Sequence, residues 1–229
     1  RLYVYTLGND GELHSRDSRD MDAYNNDTTT MFTLNDIAPG TYYIEQKQYD
    51  GYGGYRLTYT FTPNSHGADN ADNDSYDKAT TLEDGILQQG RLGYYYYNDQ
   101  DVVDWYKIVV PSASEAVFSQ TTETTLRLGR LYIYALDGDG RLLSRDSKDM
   151  DAYNKDTTIV FTISDLAPGT YYIEQKQYDR YGGYRLNYQL RPNNYGRDRH
   201  DNGTFEKRIK LEKGKIINNT LGHYYDNNI

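Results

Sequence analysis

Cysteine is absent from this chain, which removes disulfide staples, thiol nucleophiles and Cys-ligated zinc together. Long apolar runs are missing as well. Nothing approaches the roughly 18 consecutive apolar residues of a membrane helix, so no membrane span is expected. Basic residues are outnumbered, 25 Lys and Arg against 34 Asp and Glu. A net charge of −9 argues against a nucleic-acid partner, because neutralising a phosphate backbone needs clustered cations. Helical periodicity of useful length is also lacking. There is no Gly-x-Ser-x-Gly elbow, no His-Glu-x-x-His pair and no phosphate-binding glycine loop. What remains in excess is tyrosine, 27 residues against 5 Phe and 1 Trp. Tyrosine suits a half-buried β surface, where the ring packs and the hydroxyl reaches water.

The chain repeats itself. Arg1-Leu-Tyr-Val-Tyr returns as Arg130-Leu-Tyr-Ile-Tyr, 129 residues on, and the match runs without gaps to Pro63 over Pro192 with 45 of 63 positions identical. The same offset sets residues 64–100 over 193–229, where 14 of 37 positions are identical. The expected organisation is the C-terminal part of one unit in 1–63, a whole unit in 64–192, and the N-terminal part of a third in 193–229. A unit of this size can bury a core without a staple. The four histidines, His14, His66, His200 and His223, fall at four different places in the unit, so a Ser-His-Asp site is not a property of the repeat. The chain reads as no enzyme.

Within the whole unit, short alternating segments are separated by turn residues. Tyr106, Ile108 and Val110 alternate with Trp105, Lys107 and Val109 up to Pro111. Leu131, Ile133 and Ala135 alternate with Tyr132, Tyr134 and Leu136, and Asp137-Gly-Asp-Gly140 turns the chain into a strand over 141–145. Further strands are predicted over 158–163, 170–178 and 184–191, with Asp165-Leu-Ala-Pro-Gly169 as a reversal. The fold class is all-β: jelly-roll β-sandwich modules in tandem.

The order of motifs resembles a known family. Asn73-Asp-Ser, Asp101-Val-Val-Asp-Trp-Tyr, Leu131-Tyr-Ile-Tyr, Ala167-Pro-Gly-Thr-Tyr-Tyr-Ile and Gly183-Tyr-Arg-Leu together look like a bacterial pre-peptidase C-terminal domain, over nearly all of 68–191. The resemblance implies a jelly-roll sandwich of a secreted or cell-surface protein that binds rather than catalyses. A related module of clostridial collagenases binds calcium and collagen. Carried over position by position, the implied calcium ligands are Asp69, Asn73, Asp74, Asp101 and Asp104; one acidic position of the family falls on Ala71. Gln175 and Gln177 stand where the family strand is apolar, which places that strand at an edge or makes its inner face unusual.

Other candidates come from the residues alone. The segment 145–156 holds Asp146, Asp149 and Asp151, retained in the copy at 16–27, and reads either as a cation or sugar site or as a solvated acidic loop. Tyr178, Tyr181 and Tyr184, with Tyr49, Tyr52 and Tyr55 as their counterparts, read as an aromatic ligand platform at hairpin tips or as core residues. Asp137-Gly-Asp-Gly140 fails as an EF-hand, since Arg141 and Leu142 stand where an oxygen ligand and a glycine are needed; it is a turn. Asn-x-Ser/Thr sequons occur at Asn26, Asn73, Asn202 and Asn218.

Two functional classes follow. One is a building block of a surface protein or filament that assembles head-to-tail, neighbouring copies completing one another's partial sandwiches. Residues 193–229 hold seven Lys or Arg and five Asp or Glu, whereas 64–100 hold two and seven, so the ends differ in charge. The other is a calcium-dependent adhesion module for an extracellular glycan or fibrous protein.

Overall fold

The computed structural model describes residues 1–20, 29–35, 37–63, 72–96, 99–123, 126–150, 158–192 and 204–217. Strands dominate and no α-helix occurs among the described residues. In the first copy the strands are β1 (Leu2–Leu7), β2 (Leu13–Arg19) and β3 (Tyr42–Gln46). The second copy contributes β4 (Thr80–Thr81), β5 (Gln88–Leu92), β6 (Tyr95–Tyr96), β7 (Asp99–Gln100), β8 (Val103–Val110) and β9 (Ser114–Thr122). It continues with β10 (Arg127–Leu136), β11 (Leu142–Asp149), β12 (Thr158–Leu166), β13 (Gly169–Asp179) and β14 (Gly182–Pro192).

Residues 72–192 form two sheets, β11-β10-β13-β8-β4 and β12-β9-β14-β5. Apart from the small β6–β7 ribbon, which pairs with itself, the chain from β5 to β14 changes sheet at every step except the β10–β11 hairpin, which is the jelly-roll path of two interlocked Greek keys. Every pairing among these strands is antiparallel except β4, which adds in parallel beside β8. One continuous core joins the sheets, with Ile108, Leu131, Ile133 and Ile173 from the first and Phe118 and Leu186 from the second. Phe118 stacks on Phe161 at 5.0 Å between ring centres. Burial alternates strictly along β9, from Ser114 to Thr122, although glutamine and threonine occupy inner positions.

The strand ends follow local chemistry. Asp137 Oδ1 accepts hydrogen bonds from the amides of Asp139 (2.9 Å) and Arg141 (2.8 Å), and Gly140 takes a φ of 78°, so this acidic tetrapeptide is a turn as expected. The Tyr171 hydroxyl donates to the Ala167 carbonyl and ties down the Ala-Pro-Gly reversal. The first copy repeats this bond between Tyr42 and Ala38.

Strands β1, β2 and β3 form a separate sheet, β2-β1-β3, whose pairings match β10 with β11 and β13 partner for partner at the offset of 129. Even the irregularity recurs: Val4 faces Asp17 and Tyr5 faces Ser15, as Ile133 faces Asp146 and Tyr134 faces Ser144. A bulge therefore falls at Arg16 and at Arg145.

Two expectations need correction. Gln175 is fully buried on β13, a central strand between β10 and β8, so the edge-strand alternative fails and the inner face is the unusual feature. The strand expected over 141–145 runs to Asp149, so Asp146 and Asp149 belong to β11 and not to a loop. Its polar residues sit at the sheet margin, where an outward carboxylate costs nothing in desolvation.

Candidate functional site

The outer face of the five-stranded sheet bears a row of aromatic rings. Alternation in β10 sends Leu131, Ile133 and Ala135 inward and Tyr132 and Tyr134 outward. By the same rule β13 presents Tyr172 and Glu174, and β8 presents Trp105 and Lys107. Register brings them together, because Glu174 faces Tyr132 on one side and Trp105 on the other. Tyr132 and Tyr134 stack at 5.9 Å, and Tyr134 lies 5.5 Å from Trp105. Tyr76, from the short 3-10 turn before β4, sets its ring edge-on to Trp105 at 6.1 Å and to Tyr172 at 5.7 Å.

Five rings thus form one contiguous strip, in which Trp105 is buried, Tyr132, Tyr134 and Tyr172 are half-buried and Tyr76 is exposed. The Tyr134 hydroxyl donates to Glu174 Oε2 at 2.8 Å; burial first, and then this carboxylate, push its pKa well above the ordinary phenol value. In the first copy Tyr3 and Tyr5 stack in the same way, and Tyr5 donates to Glu45, whose acceptance raises the Tyr5 pKa to about 12. None of the five was singled out from sequence. The available signal was that three strands place an aromatic opposite their apolar face.

Beneath this strip lies a buried polar layer. Asp104, fully buried at the start of β8, accepts a hydrogen bond from the Tyr184 hydroxyl of the opposite sheet. Tyr184 has one proton and gives it to Asp104, so Tyr106 donates in turn to Tyr184 at 2.6 Å. Burial, followed by the Asp104 charge, holds the Tyr184 pKa well above 10. Gln120 and Gln175 are also fully buried, with side-chain amides that have no hydrogen-bond partner in the protein. Ordered water commonly fills that role in such layers.

The predicted site residues are distributed as follows. Asn73 is buried against β8: the Trp105 amide donates to its carbonyl at 2.8 Å, and its own Nδ2 approaches the Trp105 carbonyl at 3.4 Å. Its Oδ1 takes no hydrogen bond from the protein. Asp101 and Asp104 are buried, Asp74 is at the surface, and Asp69 lies outside the described residues. No group of three His, Asp or Glu side chains suited to a metal occurs among the described residues. Burial also bars the Asn73 sequon from glycosylation in the folded state; the other three sequons lie outside the described residues.

The three tyrosines of the β13–β14 hairpin do not share a surface. Tyr178 is exposed, Tyr181 packs edge-on to Tyr94 at 5.6 Å, and Tyr184 is core, so the expected platform is corrected. In the first copy Tyr49, Tyr52 and Tyr55 are all exposed. The hairpin tip is tight: Asp179 Oδ1 caps the Arg180 amide, Arg180 adopts a left-handed φ of 64°, and its carbonyl presses on Gly93. Asp146 caps the amide of Ser147, and Asp149 pairs with Arg130 at 2.7 Å, which holds its carboxyl below the usual range. Both are engaged locally, and Asp151 lies outside the described residues. His14 bonds Asp10 at 3.1 Å in an exposed turn.

Among the described residues no helix is long and apolar enough to cross a membrane. No protein-family model matches the chain, and the search of curated proteins gave no match. Among solved structures the chain is similar to the pre-peptidase C-terminal domain of a collagenase from Bacillus anthracis, at 20% identity over 48% of this chain and 94% of that one, with a TM-score of 0.36. It is also similar to a carbohydrate-binding module of Cellvibrio mixtus lichenase 5A solved with cellotriose, at 18% identity over 47% of this chain and 87% of that one, with a TM-score of 0.26. The first carries the name of the family that the order of motifs resembles.

Proposed function

We propose that residues 72–192 are a non-catalytic binding module of a secreted or cell-surface protein, and that the module takes carbohydrate on the outer face of its five-stranded sheet. The supporting observation is the strip Tyr132–Tyr134–Trp105–Tyr76–Tyr172, which the core does not require. Aromatic rings pack against the C–H faces of sugars, while the neighbouring Glu174, Lys107 and tyrosine hydroxyls supply hydrogen bonds at the margin. Four of the rings stand on paired strands and Tyr76 on the short turn before β4, so little ordering cost opposes binding. A glycan array tests this. Saturable binding that falls at least tenfold in Tyr132→Ala is expected; equal binding by the variant sinks the proposal.

Calcium belongs to the same proposal. Asn73, Asp101 and Asp104, joined by Asp69 and Asp74, would hold the ion, which would neutralise buried carboxylates and fasten the segment before β4 to β8. The melting temperature should rise by several degrees in calcium relative to chelator. No difference removes calcium from the account.

A structural role in a filament is the second reading, favoured by the apolar side chains that residues 1–63 leave exposed. Direct pairing of 1–63 with 193–229 does not suffice for it. Those two segments together still lack counterparts of β8 and β9, the strands that organise both sheets.

A further inference from the structure

The four-stranded sheet has an outer face of its own, and the pleat decides which side chains it carries. In β5, Gly90 meets the ring of Tyr184 and Leu92 is fully buried, so Arg91 between them points away from the core. In β14, Tyr184 and Leu186 are fully buried, so Arg185 points the same way. Arg91 faces Gly183, while Arg185 faces Gln89 on one side and Thr121 on the other. The two arginines are therefore diagonal neighbours, about 7–8 Å apart where their side chains begin. Gly183 leaves the position beside Arg91 without a side chain.

Most arginines of the module sit in ion pairs. Arg127 and Arg180 pair with Asp179, Arg130 with Asp149, Arg141 with Asp139 and Arg191 with Glu115. Arg91 and Arg185 have no carboxylate within ion-pair distance among the described residues, in a chain where acidic residues outnumber basic ones by 34 to 25. Glu123, across from Gly183, turns its Oε2 to the Gly183 amide at 2.7 Å. Arg91 is only 9% exposed, and its Nε has no hydrogen-bond partner in the protein. Its guanidinium lies 5.5 Å from the centre of the Tyr94 ring, and Tyr94 meets the half-buried Tyr181 edge-on at 5.6 Å. An aromatic face attracts a guanidinium without neutralising it, and a cation held out of water is stabilised by an anion brought to it.

We infer that Arg91 and Arg185 form a second binding site, for the carboxylates of a uronate-containing polysaccharide, on the outer face of the four-stranded sheet. A planar guanidinium takes a carboxylate through two parallel hydrogen bonds. Tyr181 offers its ring to the sugar, and Gln89 and Thr121 flank Arg185 with an amide and a hydroxyl. A neutral glycan leaves both charges uncompensated. An extended sugar chain reaches the recessed Arg91 beside Gly183 more readily than a folded protein surface does. The site lies on the opposite sheet from the aromatic strip and does not depend on it.

Polygalacturonate and alginate, at low salt and in chelator, are the probes, with fully methyl-esterified polygalacturonate as the uncharged control. Calorimetric titration of the full chain should show saturable binding of at least one acid polymer that weakens as salt is added, and at least tenfold weaker binding of the ester. Arg185 is exposed, so Arg185→Gln leaves the core intact and should weaken binding at least fivefold. Arg91→Lys keeps the charge, loses the planar fork and should weaken it too. Tyr132→Ala/Tyr134→Ala should bind the acid polymer as the wild type does. The inference is overturned if neither acid polymer binds, if acid and ester bind equally, if Arg185→Gln binds as tightly as the wild type, or if the strip variant alone loses binding. A chain that dimerises at low salt and is returned to monomer by Arg185→Gln overturns it as well, because a second copy then supplies the anion.

Discussion

Replacing Tyr184 by phenylalanine isolates the buried polar layer, because the ring and its packing remain and only the hydroxyl is lost. That hydroxyl donates to a fully buried carboxylate, Asp104, and accepts from Tyr106. A hydrogen bond to a charged group contributes about 1.5–3 kcal/mol, and a buried carboxylate deprived of its donor adds a desolvation cost of similar size. A loss of about 2–4 kcal/mol is therefore expected for Tyr184→Phe, well above the typical surface substitution. Equilibrium denaturation in chelator, followed by the fluorescence of Trp105, measures it; Trp105 is the sole tryptophan and sits next to Asp104 in β8. The same substitution made over Asp104→Leu should cost much less, with a coupling of about 1–3 kcal/mol in the double-mutant cycle. A loss below about 0.5 kcal/mol, or an equal loss in both backgrounds, refutes the assignment of the layer as a coupled network.

Alkaline pH should act through the same residue. The pKa of Tyr184 in the folded state is raised above the unfolded value of 10, so its contribution is complete below pH 10 and is lost as pH rises toward the folded value. Stability of the wild type should fall more steeply than that of Tyr184→Phe by about 1.4 kcal/mol per pH unit above pH 10, and parallel profiles contradict this. Against the hairpin tip, a Cβ on Gly93 would run into the Arg180 carbonyl on a backbone with φ of 83°, so Gly93→Ala should destabilise by about 3 kcal/mol in thermal or urea denaturation. Arg180→Gly relieves a left-handed non-glycine residue, as Gly51 does at the matching place, and should stabilise by about 0.5–1 kcal/mol.

The sequence reveals this fold where burial and polarity agree. In β10 the alternation of Leu131, Ile133 and Ala135 with Tyr132 and Tyr134 reports the pleat directly. In β9 the inner positions Ala116 and Phe118 are flanked by Ser114, Gln120 and Thr122, so the apolar alternation of the strand most important to the second sheet is too short to predict it. The two-residue strand β4 and the polar β5 escaped for the same reason. Tyr184 shows the ambiguity of its residue type: beside two glycines and an arginine it reads as a hairpin tip, yet its hydroxyl finds a buried carboxylate and its ring a place over Gly90. For the candidate site, alternation sets Trp105, Tyr132, Tyr134 and Tyr172 opposite the apolar face of their strands, whereas Tyr76, in a short 3-10 turn, carries no such mark. Their convergence was not legible, because it depends on the β10–β13–β8 register that only the fold supplies.

Trp105 lies at the centre of that strip, so its emission is a direct reporter of occupancy. The chain should be titrated with a panel of soluble polysaccharides while Trp105 fluorescence is recorded, in parallel with Tyr132→Ala/Tyr134→Ala. The account predicts a saturable change with at least one polysaccharide, abolished in the double variant while its denaturation midpoint stays within the range of a surface substitution. A panel that leaves Trp105 unperturbed, or a double variant that binds as tightly as the wild type, contradicts it.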